Sequence, residues 1–113
     1  MDTSLPLTLL GGITPQQFMQ RYWQKKPLLI RNAVPGFKPL LSRAQLMVMA
    51  SQDGVESRMV VHGAKGWRLS HGPFARRAFP PLAQSKWTFL VQGVDLHDQN
   101  VHDLMQQFRF VPD

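Results

Sequence analysis

The side chains of this sequence that could carry out metal chemistry are its four histidines, His62, His71, His97 and His102. A non-haem iron site needs two histidines and one carboxylate on one face, with positions left open for oxygen and a co-substrate. A His-x-Asp or His-x-Glu pair on a strand supplies two of these ligands, because residues two apart share a face. No histidine here has an acidic residue two positions later. We interpret His62 as a strand-end residue and His71 as a turn residue.

The remaining two histidines have an acidic neighbour directly after them. In the pairs His97-Asp98 and His102-Asp103, the two side chains would point to opposite faces of a strand, or lie about 100° apart around a helix. His97 and His102 are also poorly spaced to share one helical face. The sequence therefore predicts no complete metal site within this chain.

Nucleophilic catalysis finds no better support in the sequence. The serines lack a Gly-x-Ser-x-Gly elbow, and Ser42 is better explained as a helix cap. The chain has no cysteine, which excludes disulfides, thiolate metal sites and a cysteine nucleophile. The glycines form neither a phosphate-binding loop nor a dinucleotide-binding motif. We assign no catalytic, cofactor-binding or metal-ligating residue to this chain.

The helices that would position these side chains are indicated by their capping residues. Thr14-Pro-Gln-Gln17 predicts a helix start, because threonine caps, proline suits the first helical position and the second glutamine completes a capping box. Ser42-Arg-Ala-Gln45 predicts a second helix in the same way. Asp98 or Asn100 is expected to cap a third. Between the first two helices, the apolar run at residues 27–32 predicts a strand buried on both sides.

Two further segments predict a β-hairpin and a single strand. Residues 57–62 and 66–70 form the hairpin, with a glycine at each end of its loop, and residues 87–94 are rich in β-branched and aromatic side chains. The order helix, strand, helix, hairpin, strand, helix predicts an α+β protein with mainly antiparallel strands. We expect the core to contain five large rings, those of Trp23, Trp67, Phe74, Trp87 and Phe89.

The composition bounds the class of protein and its partners. With 113 residues and 43% hydrophobic residues, the chain is one globular domain at most. The net charge of +6 favours acidic partners, but no basic run reaches five residues and no ribonucleoprotein aromatic motif occurs, so we do not expect direct nucleic-acid binding. No apolar run approaches the ~18 residues of a membrane span, and the start has no basic signal-peptide region. We expect a cytoplasmic protein without membrane association.

Four motifs occur in an order and spacing that resemble one known family. They are Phe18-Met-Gln-Arg-Tyr-Trp-Gln-Lys-Lys-Pro-Leu-Leu-Ile30, Ser70-His-Gly-Pro-Phe74, Trp87-Thr-Phe-Leu-Val-Gln-Gly-Val94 and Phe108-Arg-Phe-Val-Pro-Asp113. Together they make nearly the whole chain similar to the N-terminal part of the bacterial cupin-like, JmjC-type ribosomal oxygenases. The resemblance implies a double-stranded β-helix, also called a jelly roll or cupin fold, flanked by helices. Residues 1–113 would form a single incomplete domain of that fold.

The same resemblance implies an activity for the full-length family member. That member would use iron(II), oxygen and 2-oxoglutarate to hydroxylate a large-subunit ribosomal protein on arginine, and a homodimer of the full-length form is left open. In the family, the iron ligands (a His-x-Asp pair and a distant histidine) and the basic residue that holds 2-oxoglutarate come later than the matching residues. The resemblance therefore carries no catalytic residue onto this chain, and we expect the chain to be inactive by itself.

Two other classes of function remain open at the level of the sequence. One is a small, basic, stand-alone module for protein interaction or dimerisation, which would use exposed aromatic side chains. Such a module should unfold cooperatively and run as a defined species on gel filtration. The other is a nucleic-acid binder, whose affinity should fall steeply as salt is raised.

Overall fold

The computed structural model describes residues 2–112 as two compact units, residues 2–38 with 103–112, and residues 39–102. Its helices are α1 (Pro15–Arg21), α2 (Arg43–Ala50) and α3 (Gln99–Gln106), and its strands are β1 (Ser57–Gly63), β2 (Gly66–His71) and β3 (Trp87–Val91). Short 3-10 turns occur at Thr8–Leu10, Arg76–Ala78 and Val94–Leu96. The predicted α+β class is confirmed. None of the helices within these residues has the length and apolar character needed to cross a bilayer.

The first unit is built on α1, which begins at the residue that the sequence predicts. The Thr14 hydroxyl accepts a hydrogen bond from the Gln17 backbone N–H, and the Gln17 side chain accepts one from the Thr14 N–H, both at 3.0 Å. Phe18 stacks on Tyr22 at 6.2 Å between ring centroids and meets Phe110 edge-on at 5.7 Å. The capping box thus fixes the start of α1, and the aromatic contacts of Phe18 hold the unit together.

The strand predicted at residues 27–32 does not form. This segment has no regular structure, Leu29 is 78% exposed, and Asn32 has a φ of 54°, which is incompatible with extended backbone. An apolar run becomes a strand only where a neighbouring strand can pair with its backbone groups, and the strands of the sheet pair only among themselves. The helix before it ends at Arg21, and Gln24 has a φ of 56°.

The second unit contains an antiparallel sheet in the order β2-β1-β3. The predicted hairpin is confirmed, with Gly63 paired to Gly66 at its tip. The third strand is shorter than predicted and ends at Val91, because Gly93 adopts a φ of 65° and a 3-10 turn follows. The central position of β1 means that both other strands depend on it for their backbone hydrogen bonds.

One face of this sheet is covered by α2 and by the segment after β2. Ser42 and Gln45 form the second capping box, with hydrogen bonds of 2.7 and 3.1 Å, as predicted. Ala50, at the end of α2, is fully buried against Met59 and Phe74, and the Ala50 carbonyl accepts a 2.8 Å hydrogen bond from the Phe74 N–H. The partly buried side chains around this cluster are Val61, Phe79, Phe89 and Val91.

The third helix is capped by the first of the two residues that the sequence offered. The Asp98 carboxylate accepts a 3.0 Å hydrogen bond from the Val101 N–H, which satisfies one of the free N–H groups of the first turn. Asn100 instead lies inside the helix.

Candidate functional site

The four histidines do not come together in the way that an iron centre requires. Within residues 2–112, no group of three His, Cys, Asp or Glu side chains is arranged so that it could hold a metal ion. His62 pairs with Trp67, and His71 pairs with Arg58, so the two histidines lie ~13 Å apart along the sheet at strand spacing. His71 is the last residue of β2 rather than part of the following turn, which corrects its predicted position. The side chains of the described residues therefore do not fit an iron centre.

The sheet has a second face, opposite the α2 core, which carries three exposed large apolar side chains. Since residues two apart share a face, and paired residues of neighbouring strands share it too, its members follow from the register. We call it the outer face; it consists of Arg58, Val60, His62, Trp67, Leu69, His71, Thr88 and Leu90. On it, Trp67 is 73%, Leu69 54% and Leu90 49% exposed.

The expectation that Trp67 belongs to the core is wrong. The register places Trp67 opposite His62 on the outer face, and the two ring centroids lie 4.5 Å apart with a 58° tilt. Phe74 and Phe89 do lie in the core, as predicted. They meet Phe79 at 5.9 and 5.1 Å between ring centroids. Trp67 alternates to the other side of the sheet and does not reach this aromatic cluster.

A hollow of about 380 Å³ lies at the tip of the hairpin, where several basic residues occur. Lys65, Trp67 and Arg68 line it, with Val61 and the loop backbone. Lys86 is close by, because its carbonyl accepts a 2.9 Å hydrogen bond from the His62 N–H. We call Lys65, Trp67, Arg68 and Lys86 the tip cluster; within it, Trp67 lies on the outer face, whereas Arg68 pairs with Val61 and lies on the α2 side of the sheet.

The net positive charge of the protein comes from the same stretch of sequence. Residues 57–94 contain six of the thirteen Lys and Arg residues and none of the seven Asp and Glu residues. The rest of the chain is balanced, with seven basic and seven acidic residues. The excess charge of +6 therefore belongs to the sheet and to the connections between its strands.

Comparison with known structures identifies the class of protein to which this fold is related. The solved structure of a ribosomal oxygenase from Escherichia coli, YcfD, in complex with cobalt and succinic acid matches 86% of this chain with a TM-score of 0.71 and 33% sequence identity. The complex of the same protein with cobalt and 2-oxoglutarate matches with a TM-score of 0.70. In both, the chain covers 26% of the solved protein. The α+β arrangement of helices and antiparallel strands is thus shared with a ribosomal oxygenase.

Sequence comparison points to particular relatives in the same class. The ribosomal protein uL16 3-hydroxylase of Escherichia coli is 34% identical over 85% of this chain. A probable ribosomal oxygenase of Haemophilus influenzae is 31% identical over 97% of it. No family model matches. The chain spans about a quarter of the length of these relatives, 25% and 27% respectively. The predicted resemblance to the JmjC-type ribosomal oxygenases is confirmed.

The tip cluster is the feature that inspection of the sequence missed. Lys65, Arg68 and Lys86 are scattered along the chain and form no basic run, so they gave no sign of a charged surface. Two signals were nevertheless present. One is the absence of acidic residues between positions 57 and 94, and the other is the hairpin register, which predicts opposite faces for Met59 and Trp67.

Proposed function

We propose that this chain is the N-terminal segment of an iron(II)- and 2-oxoglutarate-dependent oxygenase that hydroxylates a large-subunit ribosomal protein on arginine. The observation that carries the proposal is the match to the Escherichia coli ribosomal oxygenase solved with cobalt and 2-oxoglutarate, at 33% identity over 86% of this chain. In this proposal, residues 1–113 form one incomplete domain, the front part of a jelly-roll fold.

The contribution of these residues would be structural support and surface rather than chemistry. The three-stranded sheet and the capped helix α2 form a packed layer against which further strands of a jelly roll could be placed. Iron and 2-oxoglutarate would be held by residues outside this segment, because the described side chains do not fit an iron centre. Bound iron and 2-oxoglutarate would supply the oxidising chemistry of the complete enzyme.

The first test is a chimera in which this chain replaces the matching quarter of the Escherichia coli uL16 hydroxylase. We expect the chimera to hydroxylate a uL16 peptide in a reaction that requires 2-oxoglutarate, because the two sequences share fold and one third of their residues over this segment. Mass spectrometry of the peptide detects the added oxygen atom. The relative without its matching quarter, and the 113-residue chain alone, should leave the peptide unmodified.

Two results would contradict the proposal. One is a chimera that is folded and binds metal and 2-oxoglutarate, yet gives no more product than a chimera carrying an unrelated α+β segment of equal length. The other is succinate formation by the 113-residue chain alone that depends on iron and stops on chelation, since that would place an iron centre within these residues.

A further inference from the structure

We propose that a groove on α2 binds a small carboxylic acid with an apolar chain, whose carboxylate pairs with Arg76. The groove has a volume of about 370 Å³ and is lined by Ala44, Met47, Val48, Ser51 and Arg76; we call it the α2 groove. All of its lining residues belong to the second unit. The proposed hydroxylation chemistry does not use this groove, so ligand binding there does not depend on the oxygenase assignment.

The floor of the α2 groove is one largely apolar stripe of the helix. Ala44 is followed on it by the lining residues three, four and seven positions later, which share one side of a helix. The last of them, Ser51, keeps helical backbone angles as the cap of α2. On this stripe Val48 is 58% exposed, whereas Ala50 is turned towards the core and is fully buried. Seven residues at a rise of ~1.5 Å give the floor a length of ~10 Å, which suits a short chain of methylene groups.

The charged wall of the groove is Arg76, which the fold brings to α2 from another part of the chain. The Phe74 N–H donates a 2.8 Å hydrogen bond to the Ala50 carbonyl, and this contact holds the segment after β2 beside the end of the helix. Two residues later, Arg76 begins a 3-10 turn. The groove volume of about 370 Å³ falls in the size range of small-ligand sites, which combine apolar walls with a few polar groups.

The guanidinium of Arg76 has no partner among residues 2–112. Its side chain makes no hydrogen bond or ion pair there, and no acidic residue occurs between positions 57 and 94. The nearby carbonyls of Val48 and Met49 already accept 3.1 Å hydrogen bonds from backbone N–H groups. Carbonyls that are bonded in this way repel an anion less than the free carbonyls of an uncapped helix end. The Arg76 donors are therefore available for a carboxylate, which an arginine binds through two parallel hydrogen bonds.

These features favour a chain acid over an inorganic anion or a peptide. A phosphate or sulfate would meet a single lining cation and would leave the apolar floor uncovered. A peptide strand would bring backbone N–H and C=O groups against Ala44, Met47 and Val48, whose side chains cannot hydrogen-bond with them. An acid with a methylene chain covers the floor with apolar atoms and places one negative charge beside one arginine.

The test is a titration of the isotope-labelled 113-residue chain with sodium octanoate, followed by the backbone amide signals in NMR spectra. It is run on the parent chain and on a variant with Leu69→Lys and Leu90→Lys, because these changes remove apolar surface from the outer face, where the probe or a second chain could otherwise bind. We expect saturable shifts at the α2 residues of the groove in both proteins. Affinity should rise about fourfold for each methylene added from butyrate to octanoate.

The role of the charge is tested by Arg76→Gln, with Arg77→Gln as the matched control. Both substitutions remove one positive charge from neighbouring exposed residues of the same 3-10 turn, but only Arg76 lines the groove. Arg76→Gln should weaken octanoate binding about tenfold or more, and it should leave the weaker binding of uncharged octanol unchanged. Arg77→Gln should bind octanoate within about twofold of the parent.

The role of the floor is tested by Ala44→Leu, with Ala64→Leu as the matched control. Both substitutions add the same bulk at an exposed position, but only Ala44 lines the α2 groove. Ala44→Leu should weaken octanoate binding severalfold because the new side chain occupies the space of the ligand, whereas Ala64→Leu, in the loop of the hairpin, should have no effect. Circular dichroism confirms that each variant retains its secondary structure.

Four outcomes would overturn the proposal. The first is a titration to about 10 mM octanoate, tenfold above a weak millimolar constant, that moves none of the α2 amides of the groove. The second is octanol binding as tight as octanoate binding, or equal loss in Arg76→Gln and Arg77→Gln, since either would remove the recognition of the carboxylate. The third is a set of shifts confined to the outer face of the parent and absent from the variant with Leu69→Lys and Leu90→Lys. The fourth is a leucine- and glutamate-containing peptide that displaces octanoate and binds more tightly, which would assign the groove to an acidic protein segment.

Discussion

At the scale of single residues, the tightest requirement of the sheet unit is the absence of a side chain at Gly72. A Cβ atom there would collide with the Ser57 hydroxyl and lie 3.3 Å from two atoms of the Phe74 ring. Ser57 is 2% exposed, and its hydroxyl donates a 3.3 Å hydrogen bond to the Ala50 carbonyl, so it has little room to move. We expect Gly72→Ala to lower the free energy of unfolding by about 1–3 kcal/mol, as measured by urea denaturation.

A double-mutant cycle with Ser57→Ala identifies the cause of that loss. Ser57→Ala removes the hydroxyl that the new methyl group would meet, at the cost of the hydrogen bond to Ala50. The cost of Gly72→Ala should therefore be smaller by about 0.5 kcal/mol or more when Ser57→Ala is present. Strictly additive effects would show that the collision with Ser57 is not the source of the destabilisation.

Individual residues differed in how well their roles could be predicted. The capping residues Thr14 and Ser42 were identified from sequence because each cap is satisfied within three residues of chain. The position of Trp67 was not, because its burial depends on which face of the sheet the helix α2 covers. The face that α2 covers is determined by contacts among Ala50, Met59 and Phe74, which lie far apart in sequence.

At the scale of elements, the turn of the hairpin depends on one of its two glycines. Gly66 has a φ of 99°, whereas Gly63 is not in the positive region, and a Cβ atom at either position would meet no other atom. Ala64 and Lys65 keep negative φ values, as in a type I turn closed by a left-handed glycine. Gly66→Ala should therefore cost about 1–2 kcal/mol of stability, as measured by thermal or urea unfolding.

Gly63→Ala is the matched control for that prediction. It adds the same methyl group across the same base of the loop, but at an ordinary φ, so it should be neutral or slightly stabilising through the unfolded chain. Equal destabilisation by the two substitutions would mean that the loop rejects a methyl group in general, and that the left-handed conformation of Gly66 is not what limits it.

The elements that the sequence predicted well are those with local signals. The hairpin and the starts of α1, α2 and α3 depend on turns and caps only a few residues long. The segment at residues 27–32 has an equally clear apolar pattern, yet it forms no strand. Apolar composition alone cannot say whether a neighbouring strand exists, since that depends on the distant pairing of β1 with β3.

At the scale of the whole molecule, the family resemblance could be predicted from the sequence, whereas the place of the excess charge in the fold could not. Ordered motifs sufficed to identify the ribosomal oxygenases as relatives, because each motif is a short stretch of sequence. They carried no site residue onto this chain, which spans 25% of the Escherichia coli relative. The net charge could be counted from the sequence. Its concentration in residues 57–94 could be assigned to one end of the sheet only from the structure, which places the tip cluster at that end and the carboxylates at the other.

The outer face also bears on whether this chain is part of a larger enzyme or a stand-alone module. Leu69 and Leu90 are 54% and 49% exposed on it, and exposed apolar patches of this kind mark surfaces that another structure covers. If the covering structure is the rest of the oxygenase, the 113-residue chain should bind a hydrophobic dye and aggregate instead of running as a defined species on gel filtration.

Substitution of the two leucines by lysine should then roughly halve dye fluorescence, because it removes apolar surface without touching the core. The paired change Leu5→Lys with Leu82→Lys is the control, since these residues are 57% and 55% exposed but lie outside the outer face; dye binding should stay near that of the parent. A stable dimer that binds little dye, and that becomes a monomer on Leu69→Lys with Leu90→Lys, would instead favour a dimerisation module. A second copy of the chain would then be what covers the outer face.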